Sequence, residues 1–95
     1  MFNFNTDKIV FNTDIETSYH GKKLILKNVY RYQGPITMQL LPYGGIQSVY
    51  GYNLIVNTKD GFISCNNVVY DNLLQSTKDF IMNHPDLVNS VLGID

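Results

Sequence analysis

Ile46-Gln47-Ser48-Val49-Tyr50, Leu54-Ile55-Val56-Asn57, Phe62-Ile63-Ser64-Cys65 and Val68-Val69-Tyr70 are short runs of β-branched, aliphatic and aromatic residues. Between them stand Gly51-Tyr52-Asn53, Thr58-Lys59-Asp60-Gly61 and Asn66-Asn67, all turn-forming sequences. Residues of the first kind fit a pleated, half-buried surface, and the second kind supplies the backbone conformations that reverse a chain. Asp60-Gly61 suits a tight hairpin, since both residues tolerate positive φ. Short strands broken by regular turns predict a compact antiparallel sheet or barrel.

Working upstream, His20-Gly21 is a turn, and Lys22 to Tyr32 reads as one long strand. Its alternation puts Leu24, Leu26, Asn28 and Tyr30 on one face and Lys23, Ile25, Lys27, Val29 and Arg31 on the other. Gly34-Pro35 breaks the strand, because proline donates no ladder hydrogen bond. Ile36 to Leu41 reads as a further extended piece, ended by Pro42-Tyr43-Gly44-Gly45. Leu24, Leu26, Ile46, Leu54, Val56 and Phe62 form the expected core. Residues 1–17 repeat Phe-Asn-Thr-Asp at Phe4 and Phe11, with Lys8-Ile9-Val10-Phe11 a candidate short strand.

Downstream the pattern changes. Ser76-Thr77-Lys78-Asp79 resembles a capping box with Asp in place of Glu, opening a short helix over Phe80-Ile81-Met82. His84-Pro85-Asp86 restarts a helix with Pro in its first turn. Leu87, Val88, Val91 and Leu92 then share one helical stripe up to Gly93, so residues 83–95 read as a C-terminal helix. The class is mainly β, a small open antiparallel barrel with one or two short C-terminal helices.

Composition narrows the functional classes. The 95 residues are 44% hydrophobic and 16% charged, a globular balance for one domain. The formal net charge of −1 gives no global attraction to nucleic acid or acidic membrane. One cysteine, Cys65, cannot form an internal disulfide. Met1 to Asp7 lacks the basic and apolar regions of a signal peptide, and no apolar run is long enough to span a bilayer. A soluble, cytoplasmic protein is the expectation.

From Gly44 onward the chain resembles the C-terminal domain of the formyltransferase family, which includes methionyl-tRNA formyltransferase and sugar N-formyltransferases. The resemblance is carried by Gly44-Gly45-Ile46 and by Leu54-Ile55-Val56-Asn57-Thr58-Lys59-Asp60-Gly61-Phe62-Ile63. Val68 to Asn72, Ser76 to Phe80 and Gly21 to Asn28 support it, so that it covers roughly residues 18–82. It implies an open OB-like barrel followed by a short helix. The family's catalytic Asn, His and Asp lie in a separate domain without a counterpart here, which implies a non-catalytic accessory role without a cofactor.

The residues themselves offer few catalytic sets. Cys65 with His20 or His84 is the one Cys/His combination, and Cys65 alternates with buried positions, as a small core filler does. Two His and one Cys, widely separated, give no metal-ligand spacing, and Gly44-Gly45 lacks the Lys-Ser/Thr of a phosphate loop. Lys22, Lys23, Lys27 and Arg31 form a basic row that can attract phosphates. Tyr43, Tyr50 and Tyr52 with Leu87, Val88, Val91 and Leu92 form the candidate partner-binding set. Two functions follow: a module binding a protein partner or a second copy of itself, and, as the alternative, a tRNA-contacting domain assisting a formyltransferase.

Overall fold

The computed structural model describes residues 1–37, 40–49 and 51–94. Its first hairpin joins β1 (Ile15–Tyr19) to β2 (Lys22–Lys27) through His20 and Gly21, at φ 52° and 73°. Two consecutive positive φ angles give the turn whose twist matches that of the flanking strands. A second turn of this kind, Asp71-Asn72 at φ 51° and 68°, joins β7 (Asn67–Tyr70) to β8 (Leu73–Ser76). Thr58-Lys59-Asp60-Gly61 is the hairpin that its sequence predicts, between β5 (Ile55–Thr58) and β6 (Gly61–Ser64). There Gly61 alone takes positive φ, at 104°, and the Thr58 hydroxyl accepts from the Asp60 N–H at 3.1 Å.

With β3 (Tyr30–Arg31) and β4 (Ile46–Gln47), the strands form two antiparallel four-stranded sheets, ordered β1-β2-β7-β8 and β3-β6-β5-β4. The fold is mainly β and open. One chain excursion links the sheets where a single long strand was expected. Asn28 turns to φ 50°, its N–H bound by Asp14 Oδ1 at 3.0 Å, and the alternation reverses there. Val29 therefore joins Leu24 and Leu26 inside, fully buried, while Tyr30 is exposed. The expected faces hold for β2 and fail beyond it.

Between the sheets, Leu24, Leu26, Val29, Ile46, Leu54, Val56, Ile63 and Val68 make the core with Phe80 and Leu87. Register explains why Phe62 is not among them. Ile46 pairs with Val56 and Val56 with Ile63, so Ile63 faces inward and Phe62 is half-buried on the other side. Ile36, Thr37, Leu40 and Leu41 belong to no strand; Met38 and Gln39, within the same expected extended piece, lie outside the described residues. Thr37 N–H instead donates to Gln47 Oε1 at 2.9 Å.

Helix α1 (Thr77–Asn83) begins as expected: Ser76 caps it, its hydroxyl accepting from the Asp79 N–H at 3.1 Å. The helix expected over residues 83–95 does not form. His84 ends α1, and the chain continues in turns, with Asn89 at φ 74°. Tertiary bonds displace the helical ones: Ile46 N–H donates to Ser90 O, Asn89 N–H to Ile46 O, Leu92 N–H to Gly44 O and Gly93 N–H to Ser18 O. This segment thus lies across the seam between β4 and β1. At the other end of the chain, Lys8 to Phe11 is not a strand, yet Phe4 and Ile9 are buried in the core. Among the described residues no helix is long and apolar enough to cross a membrane.

Candidate interaction surface

The basic row predicted on the long strand is divided and neutralised. Lys22 stands 3.5 Å from Asp71, Lys23 3.6 Å from Glu16 and Lys27 2.6 Å from Asp14. The Lys27 ammonium, helped by the Asn28 N–H, holds the Asp14 carboxyl below the usual carboxylate range. Arg31 belongs to the second sheet. Its guanidinium donates to Asp60 O at 2.8 Å and lies over the Phe11 ring.

The C-terminal stripe is likewise used within the molecule. Leu87 and Leu92 are buried in the core and Val88 and Val91 half-buried, so the four do not make an exposed face. Tyr43 and Tyr52 are exposed, before β4 and in the loop after it, at opposite ends of the β4–β5 pair. Tyr50 lies outside the described residues. Tyr43 borders a shallow cavity of about 590 Å³ with Leu40, Leu41, Pro42, Asn5 and Asn57. Asn57 Nδ2 donates to Leu41 O at 2.8 Å and fixes that loop to β5.

Register assembles a surface that the linear sequence conceals. Glu16 pairs with Ile25, Ile25 with Val69 and Val69 with Leu74, so these side chains form one row across the outer face of β1-β2-β7-β8. Ile25 and Val69 are half-buried, and Leu74, at the end of the row, is 64% exposed. Lys23 and Lys27 flank this apolar ridge from β2, each held by its acidic partner.

The ridge ends at an open strand edge. In a two-residue hairpin the flanking pair, here Tyr70 and Leu73, exchanges both backbone bonds, and the pairs beyond it alternate. Thr77 N–H donates to Asn66 O and Asp71 N–H to Lys23 O, as this alternation requires. The N–H and C=O of Leu74 therefore point away from β7. Among the described residues, β8 has no strand on that side. The edge of β1 differs, for Phe2 N–H and Gly93 N–H donate to its Glu16 and Ser18 carbonyls. The β4 edge is covered through Ile46. Strand β3 is two residues long and carries Arg31.

A polar cluster lies at the seam. Asp86 accepts from the Tyr19 hydroxyl at 2.9 Å and bonds His20 Nε2 at 2.9 Å, and these contacts lower its pKa, the tyrosine's first. Burial, then the Asp86 hydrogen bond, raises the Tyr19 pKa. The Ser90 hydroxyl donates to Asp86 O, so the set fastens the C-terminal segment to the β1–β2 turn. His84 is half-buried, packed on Phe80 and Tyr70, with Nδ1 2.8 Å from Phe80 O. Nothing in the sequence signals the meeting of Tyr19 and His20 with Asp86, because more than sixty positions of chain separate Asp86 from that pair. Cys65 is buried, which pushes its thiol up to about 12. Among the described residues no three His, Cys, Asp or Glu side chains converge as metal ligands.

The chain matches no protein-family model, no curated protein and no solved structure.

Proposed function

We propose that this chain is a cytoplasmic, non-catalytic protein-interaction module, and that its binding element is the β8 edge with the apolar ridge behind it. The observation that carries the reading is the ridge Ile25–Val69–Leu74 running to an edge that, among the described residues, no other strand pairs. A strand edge offers an N–H and a C=O in a fixed direction, and the ligand that satisfies both is another extended segment. Apolar side chains beside the edge add burial to those bonds. The paired state of Lys22, Lys23 and Lys27 favours a protein partner over tRNA, since each cation already has a carboxylate. On the sequence resemblance, a formyltransferase catalytic domain is the first partner to assay.

Titrating the protein into a short fluorescein-labelled peptide of alternating Thr and Val tests the reading by anisotropy. Binding is expected, and Leu74→Pro should abolish it by removing the outward N–H at a position where an edge strand tolerates proline. Equal binding by Leu74→Pro, or no binding by the parent at concentrations where it runs as one chain, would overturn the proposal. So would tRNA binding that the Lys23→Glu/Lys27→Glu double variant loses.

A further inference from the structure

We infer that the extended segment best fitted to this edge is β8 of a second copy of the chain, an inference that rests on the interaction reading above. Leu74 occupies the middle of the edge. A two-fold axis beside it sets the strands antiparallel and pairs Leu74 with Leu74 of the second copy, each N–H donating to the other's C=O. The two ridges then become one, Ile25–Val69–Leu74 continuing into Leu74–Val69–Ile25, and each exposed Leu74 covers the other.

Charge argues for this occupant. Neither β7 (Asn-Val-Val-Tyr) nor β8 (Leu-Leu-Gln-Ser) contains a charged residue, so two copies meet there without like charges. Within the strand, the same register sets Leu73 opposite the uncharged Gln75 of the second copy. A strongly charged partner strand finds no complement on β7 or β8. The β1 and β4 edges cannot serve in this way, because backbone groups of the chain's own termini already bond them.

Light scattering tests this directly, with twice the 10.9 kDa chain mass expected. Leu74→Lys should return the mass to that of one chain while leaving the far-ultraviolet circular dichroism unchanged. Leu74→Cys provides an independent test. In a hydrogen-bonded antiparallel pair the Cα atoms stand ~5.5 Å apart, inside the ~4.4–6.8 Å range of disulfides. It should therefore oxidise to a covalent dimer, whereas Leu73→Cys, equally exposed but two registers from its own symmetry mate, should not. If Leu74→Lys fails to fold, the cysteine pair decides. A one-chain mass at all concentrations, a dimer indifferent to Leu74→Lys, or equal cross-linking at both cysteines would overturn the inference. A monomer that still binds the Thr/Val peptide refutes the second-copy inference alone, and a monomer that binds no peptide refutes both proposals.

Discussion

Replacing Leu87 by Ala separates a docked C-terminal segment from one that lies loosely on the surface. Leu87 is fully buried beyond the end of α1, its N–H bonded to His84 O. The substitution deletes three carbons, a transfer loss of about 2.4 kcal/mol at ~0.8 kcal/mol per buried carbon. The cavity left behind adds to this, giving an expected loss of about 3 kcal/mol within a usual span of ~2–5 kcal/mol. A domain of 95 residues has a total stability of ~5–14 kcal/mol, so the loss is a large share of it. The midpoint of thermal unfolding should fall by about 12–24 °C at ~4–8 °C per kcal/mol. Urea unfolding followed by circular dichroism measures the change. Leu40→Ala, at an exposed site away from the β8 edge, should stay within about 0.5 kcal/mol of the parent. If Leu87→Ala also stays within about 0.5 kcal/mol of the parent, the segment after α1 is not packed as described.

Two further outcomes are expected. Asp86 and Asp14 have folded-state pKa values below the ordinary 3.8, so their contribution is present above that value and is lost as pH falls through the lower folded one. Acid titrations of stability should accordingly show a shallower fall below pH 3.8 in Asp86→Asn than in the parent; an identical slope would count against the Tyr19–Asp86–His20 contacts. Cys65, buried with its pKa near 12, should resist thiol reagents at neutral pH in the folded protein and react once urea unfolds it. Rapid labelling of the native state would contradict the placement of its side chain in the core.

The hairpin from Leu54 to Cys65 was legible because its determinants are local. Alternation places Leu54 and Val56 inside, Asp60-Gly61 provides the reversal, and Ser76 with Asp79 starts the helix, each within a few residues of chain. The core members Leu24, Leu26, Ile46, Leu54 and Val56 were readable for the same reason. Other features depend on partners far away in sequence. Asn28 reverses the alternation where Asp14 bonds its N–H, which sends Val29 rather than Tyr30 into the core. The stripe Leu87–Leu92 has helical spacing, yet bonds to Ile46, Gly44 and Ser18 bind its backbone more effectively than one more turn of helix would. The basic row existed as composition, and only the fold brought Asp14, Glu16 and Asp71 against it. The ridge from Ile25 through Val69 to Leu74 is completed only by the tertiary structure. The Asp71-Asn72 turn fixes Val69 against Leu74 locally, but Ile25 and Val69 lie more than forty positions apart, and no turn between them sets that register.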